Sequence, residues 1–232
     1  MEIRGERECQ SCGTRWSYYE TGAINCPECG SIRSIGVDER KEHTDGPATL
    51  DLSAARNAID EEPLGEVAQR AADTASEYVR TAGFVHAGEI QPFSETYLVA
   101  AELRRAGSTL ARKLRVDEES ELYFLSLLRS ELSGERPPPE KVPDPLRADR
   151  GLAVAASATA YAADLRRVLD EPEAAVASVL SAVRARRKRI EALDGDVDPA
   201  EAEQIVLALR DLGRYLREDD ETALARAQER LD

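Results

Sequence analysis

Two periods organise the hydrophobic positions of this 232-residue chain, and the change from one to the other falls near residue 50. In TRWSYYE, Trp16 and Tyr18 lie on one face and Ser17 and Tyr19 on the other, a period of two that predicts a strand. Glu20, Thr21 and Gly22 read as a turn, and Ile32, Ile35 and Val37 make SIRSIGV a partner strand. An opening strand around Ile3 would complete a three-stranded sheet. The stretch VDERKEHTDGPATLDL, with its charge, Gly46 and Pro47, reads as a linker.

Beyond it the spacing becomes helical. Ser53 caps a short helix that stops near Pro63, and a second runs on to Gly83, whose glycine suits a C-terminal cap. Phe84 to Gln91 is a break. Ser94 opens a long helix with Val99, Leu103, Ala106, Leu110 and Leu114 on one apolar face, and Asp117 starts another with Leu122, Leu125, Leu128 and Leu132 inward. The prolines of GERPPPEKVPDP favour an extended, semi-rigid spacer. Four further helices follow, over residues 146–169, 173–193 and 198–217 and then a terminal one up to Leu231. The third is the best marked: Asp198, Pro199 and Glu201 are a cap, a first-turn proline and an acidic box residue, with Ile205, Leu209, Leu212 and Leu216 in one stripe. The expected organisation is residues 1–38, a linker 39–50, helical parts 51–133 and 146–232, and a spacer 134–145 between them. No internal repeat aligns the two helical parts. The fold class is mainly α, a small three-stranded β module followed by an all-α body of roughly seven to eight helices. With three phenylalanines and one tryptophan, its core is expected to be leucine, valine and alanine, without an aromatic ligand pocket.

Chemistry concentrates at the N-terminal end. The chain's only cysteines, Cys9, Cys12, Cys26 and Cys29, form CQSC and CPEC with thirteen residues between. Paired C-x-x-C turns at such a separation match structural tetrahedral zinc sites, where four thiolates close the shell and leave no catalytic position. Gly13 and Gly30 follow the pairs and supply the left-handed turn that aims amides at the sulfurs. A segment of this size buries too little apolar area to fold alone, so metal binding of roughly 10–16 kcal/mol would be its main stabilisation. Disulfides are disfavoured, because MEIRGERE has acidic residues and no apolar signal core, and a cytoplasmic location is expected. Rubredoxin-like iron is the rival metal, less favoured because such sites space their pairs more widely. The expected cofactor is one structural Zn2+.

Net charge is −14, from 45 acidic and 31 basic residues, with lysine only at Lys41, Lys113, Lys141 and Lys188. This acidic, arginine-rich composition resembles the proteins of salt-loving archaea, in whose cytoplasm the Debye length shrinks to ~3 Å or less and self-repulsion is tolerated. It counts against nucleic-acid binding by general electrostatics. The longest uncharged run, Gly151 to Ala163, is alanine-rich and shorter than the ~20 residues a membrane span needs. One basic island interrupts the acidity: Arg184, Arg186, Arg187, Lys188 and Arg189, late in a helix, suit the macrodipole and a solvated face, or else a partner contact. His86 has Glu89 three residues on but no nucleophile beside it, and His43 in the charged linker reads as solvated. No phosphate loop, H-E-x-x-H, G-x-S-x-G or EF-hand pattern occurs.

The stretch from RGERECQSCG through HTDGPATLDL, with FVHAGEI and GERPPPEKVP, resembles a family of uncharacterised haloarchaeal proteins that contain a TFIIB-type zinc ribbon. The resemblance covers most of the chain and implies zinc at the four cysteines. General transcription factor B joins such a ribbon to two cyclin-like repeats that bind DNA. This chain has an acidic body and no repeat, so promoter recognition is not carried over. The expected function is therefore an interaction module, with Arg15, Trp16 and Tyr18 of the ribbon and the basic island as partner contacts. A protein partner is favoured over nucleic acid, in a transcription-like or other regulatory setting. The alternatives are an iron redox protein and an enzyme with a site in the helical body near His86.

Overall fold

The structure is a computed structural model and describes residues 1–231. Its N-terminal part is built from short strands: β1 (Glu2–Arg4), β2 (Glu6–Cys9), β3 (Arg15–Ser17), the single helical turn α1 (Tyr18–Thr21), β4 (Ser34–Gly36) and β5 (Arg40–Glu42). A three-stranded antiparallel sheet has the order β3-β2-β4, while β1 pairs with β5 in a separate ladder, Ile3 opposite Lys41. The central strand is thus Glu6–Cys9, and Ile3 does not complete the sheet as its apolar character suggested. Gly5 explains the separation. A Cβ there would lie 1.8 Å from the Tyr19 ring, so the chain bends around Tyr19 between β1 and β2. The period of two ends at Ser17, because Tyr18 and Tyr19 belong to α1.

The body comprises α2 (Ser53–Asn57), α3 (Leu64–Thr81), the hairpin β6 (Val85–His86) and β7 (Glu89–Ile90), then α4 (Glu95–Ala111), α5 (Glu118–Ser133), α6 (Arg147–Val168), α7 (Ala174–Ala192), α8 (Pro199–Glu218) and α9 (Glu221–Glu229). The chain is mainly helical, with eight of the nine described α-helices in this body. Side-chain caps fix several starts. Ser94 accepts a hydrogen bond from the Tyr97 amide, Asp117 from Ser120 and Asp198 from Ala200, each satisfying an amide that the helix leaves without a partner. Gly83 is not a left-handed cap. It lets the chain pass Thr44, whose carbonyl oxygen would stand 2.4 Å from a Cβ at that position.

Two apolar clusters fill the body. One packs α2 to α5 around Leu52, Val67, Leu103, Leu110, Phe124 and Leu128, and reaches Val142 and Leu146. The other joins the β6–β7 hairpin to α6–α9 through Tyr161, Leu165, Val179, Ile205 and Leu209. Helix α4 serves both, Leu98 facing the second cluster and Val99 the first. The core is more aromatic than its composition suggested: Phe84, Phe93, Tyr97 and Tyr161 nest together, with Phe84 and Phe93 each about 5 Å from Tyr161 by ring centroid. The expected α4 stripe is buried from Val99 to Leu110, and the expected α5 stripe is only partly so, with Leu128 buried. Helix α4 ends before Leu114, which is fully exposed, and α5 turns Tyr123, Phe124 and Leu127 inward while Leu122 and Leu132 face solvent. Residues 134–145 are anchored, not merely extended: they contain a 3-10 turn at Pro139–Lys141 and begin another at Asp144–Leu146, and they bury Arg136 and Val142. Residues 39–50 likewise contain β5 and the buried His43 and Leu50. No helix among the described residues is long and apolar enough to cross a membrane.

Candidate metal centre

The two C-x-x-C pairs fold into matching turns. Cys9 N–H donates to Thr14 O and Gly13 N–H to Cys9 O, and the second turn repeats this with Cys26 to Ser31 and Gly30 to Cys26, all four bonds at 2.9 Å. Gly13 (φ 79°) and Gly30 (φ 69°) occupy the left-handed region that the turn requires. The first turn leaves the end of β2 and the second lies on the way to β4; Gln10 N–H to Arg33 O (2.8 Å) and the Ser11–Ser31 hydroxyl pair (3.0 Å) tie them together.

The result is a cluster of four sulfurs within 4.8 Å of one another, with Cys9–Cys29 at 3.7 Å and Cys12–Cys26 at 3.6 Å. A tetrahedron with metal–sulfur bonds of ~2.3 Å has edges of ~3.8 Å, so a metal ion fits these four ligands with little rearrangement. Cys9 and Cys26 are buried, while Cys12 and Cys29 are at the surface. Burial opposes charge on Cys9, but the Ser11 and Cys12 amides and the Cys12 and Cys29 thiols together lower its pKa to about 6. The Thr14 hydroxyl and amide hold Cys12 below the ordinary thiol value. Cys29 goes the other way: despite the Ser31 amide, the neighbouring sulfurs of Cys12, Cys9 and Cys26 and burial raise it to about 12. Sulfurs this close repel one another as thiolates, and a divalent cation among them would offset that repulsion.

Trp16 is 8% exposed and packs with Cys9 and Cys26, its Nε1–H donating to Ala23 O at 3.0 Å. It supports the metal turns and offers no ring to a partner, a correction to its expected role as a contact. Arg15 is exposed and ion-paired with Glu8 (2.6 Å), and half-buried Tyr18 lines a ≈ 410 Å3 hollow with Arg4, Arg7 and Arg40. On α7, Arg184, Lys188 and Arg189 are exposed and Arg186 and Arg187 half-buried. Arg189 pairs with Glu201, and Arg187 with Glu191 (3.4 Å).

His86 lies opposite Glu89 in the hairpin register, but its ring faces elsewhere: Nδ1 is 3.7 Å from Asp45 Oδ2 and the ring is 5.1 Å from that of His43. His43 is 6% exposed, not solvated, because β5 carries it under Tyr19 and against the hairpin.

Among the described residues the most elaborate polar cluster follows no sequence motif. Arg150 of α6, 1% exposed, donates to Glu102 (2.6 Å) and Glu203 (3.0 Å), and Glu102 accepts the Tyr123 hydroxyl. Arg136 reaches into the same network from residues 134–145, bonding Glu95 (2.7 Å) and Glu203 (3.0 Å), while Arg210 also holds Glu95. Burial opposes ionisation of Glu95, yet Arg136 and Arg210 keep it below the usual carboxylate range. Three arginines and three glutamates thus neutralise one another across α4, α6 and α8. A signal existed: Glu102 stands on the α4 stripe of Val99, Leu103 and Ala106, where a lone carboxylate demands a buried cation.

Over residues 1–231 the chain matches a family of unknown function, DUF7117. No curated protein and no solved structure matches it.

Proposed function

The chain belongs to the DUF7117 family, and from that premise and its own residues we propose that residues 1–38 are a TFIIB-type zinc ribbon that binds one structural zinc ion and presents a surface to a protein partner. The observation that carries this reading is the cluster of four sulfurs within 4.8 Å, in two matching turns. Four thiolates close the shell, so the ion organises the fold and takes no substrate. The acidic helical body serves as scaffold in a haloarchaeal, salt-rich cytoplasm. The partner is engaged in a transcription-like or other regulatory setting.

A protein partner is favoured by what the ribbon exposes. Ile24, Ile32, Ile35 and Val37 all face solvent, Ile32 at 73%, on a segment whose buried core is only Cys9, Trp16 and Cys26. Such aliphatic density on so small a surface is characteristic of protein contacts. Arg15 and Tyr18 supply the polar part of the same module.

Metal analysis of purified full-length protein tests the centre: one equivalent of zinc and no visible absorption are expected, whereas a red protein carrying iron would overturn the zinc assignment. The partner is tested by affinity capture in concentrated salt. Wild type should retain a stoichiometric protein that Cys26→Ala loses, and capture of the same protein by the metal-free variant would contradict the reading.

A further inference from the structure

The seam between α6 and α7 leaves a groove open to solvent, with Ala158 and Ala162 of one helix and Leu180 and Val183 of the other as its floor. This stretch has a volume of ≈ 200 Å3. A second stretch of ≈ 420 Å3 adjoins it, shares Arg166, Leu180 and Arg184, and runs on toward Ser181 and Asp170. Three arginines therefore line one groove: Arg166 from the last turn of α6, and Arg184 and Arg187 from successive turns of α7.

Their pairing is uneven. Arg187 is fixed at the groove by Thr159 Oγ1, to which its Nη1–H donates at 2.8 Å, and by Glu191 at 3.4 Å. Among the described residues neither Arg166 nor Arg184 has a carboxylate within 4.0 Å, whereas Arg167 and Arg189 do. Other arginines, Arg129 and Arg186 among them, also lack such a partner, and what distinguishes Arg166 and Arg184 is their place on one groove with Arg187. Asp170 stands on the wall of the second stretch and is engaged by neither arginine. Cations held on both lips of a narrow groove repel each other until an anion lies between them.

We propose that this groove binds a phosphoryl group. Guanidinium forks match phosphate oxygens in pairs, and a phosphate offers enough acceptors to engage Arg166, Arg184 and Arg187 together. Asp170 repels an anion at its end, which places the phosphoryl group toward Thr159. The apolar floor then takes the organic portion attached to it. Two sources carry this chemistry, a small phosphomonoester such as a mononucleotide or the phosphates of a single-stranded nucleic acid. The groove is independent of the cysteine cluster, so its test stands whatever the metal proves to be.

Calorimetric titration of the full-length, metal-loaded protein with inorganic phosphate, adenosine monophosphate, adenosine and a single-stranded RNA oligonucleotide decides the matter. The monophosphate should bind and adenosine should not. Arg184→Gln and Arg166→Gln should each weaken binding about tenfold, the loss of one charge-assisted contact. Arg129→Gln, at an exposed position on α5, should leave it unchanged. Binding by the oligonucleotide but not the mononucleotide, lost in the same two variants, assigns the phosphoryl group to a nucleic-acid strand. Absence of binding by all the phosphate compounds, or undiminished binding in a folded Arg166→Gln/Arg184→Gln protein, overturns the proposal. Should that double variant not fold, Arg184→Lys keeps the charge and removes the fork, and wild-type affinity in it overturns the proposal equally.

Discussion

The N-terminal β segment and the helical body are held together in opposite ways. The first has a buried apolar cluster of Cys9, Trp16 and Cys26 and ladders of three residues or so, far less than is needed to offset the entropy of ordering its chain. The second has two extensive apolar clusters and stitches them with a buried ionic network at Arg150 and Arg136. One part needs an ion from outside; the other supplies its own charges in compensating pairs. They meet at a hydrogen-bonded junction, where Thr44 donates to Asp164 (2.6 Å) and accepts from Phe84, and the Gly88 amide donates to Glu42 O (2.7 Å). The comparison teaches that stability in this chain is separable by source, with the junction as the path along which failure of one part could reach the other.

Removing the metal has the largest expected effect. Chelation, or Cys26→Ala, should forfeit most of the roughly 10–16 kcal/mol apparent stabilisation of a tetrathiolate zinc site and unfold residues 1–38. Circular dichroism at helical wavelengths should barely change, while hydrogen exchange accelerates throughout β2, β3 and β4. Concerted loss of the helical signal would break the comparison, because the body would then depend on the ion as well.

The body should fail through its own charges. Arg150→Ala leaves Glu102 buried and without its closest cation, which should lower stability by about 3–5 kcal/mol, read as a fall in melting temperature at unchanged metal content. Arg150→Met combined with Glu102→Leu removes both charges and should recover much of that loss. A single substitution worth less than about 1 kcal/mol would mean that the network is solvated and that packing alone holds the two clusters together.

The contrast also governs what was legible. The cysteine turns and the caps at Ser94, Asp117 and Asp198 are written in short segments, since each requires particular side chains within a few residues of the backbone they bind. The phase of α5 is not local: Leu122, Leu125, Leu128 and Leu132 make as good a stripe as Tyr123, Phe124, Leu127 and Leu128, and only the packing of α3 and α4 against the helix chooses between them. The Glu6–Cys9 strand was hidden for a similar reason. Its sequence EREC carries no apolar alternation, and it holds the sheet centre because two neighbours pair with it. Glu203 meets Arg150 and Arg136 from 53 and 67 residues away, beyond any periodic signal. The ring of His43 is buried because its charged surroundings in sequence are not its surroundings in space.

That ring offers the smallest effect and the sharpest probe of the junction. Nδ1 of His43 accepts a hydrogen bond from the Ala87 amide (3.3 Å), so the neutral ring carries its proton on Nε2, which is buried without a partner. Burial first, and then the neighbouring His86 and the N-terminal amine, push its pKa below the ordinary 6.5, and Asp45 opposes them only in part. Tyr19 covers the ring, and Glu42 is held by the N-terminal amine beside it. A second proton would have to sit on Nδ1, facing the Ala87 N–H, and would replace an acceptor with a donor. Because the folded-state pKa is depressed, this contribution is complete above the ordinary imidazole value and is lost as pH falls through the lowered one. The expected loss is that of one hydrogen bond, about 1 kcal/mol. It should appear as lower protection of the Ala87 and Gly88 amides, measured against their intrinsic exchange rates, as pH falls below the ordinary imidazole value. Metal release in the same range would act on wild type and on a His43→Leu protein alike, so the difference between the two isolates the junction. If that difference is flat with pH, the two parts are coupled by the Thr44 and Gly88 contacts alone, and the histidine pair is packing.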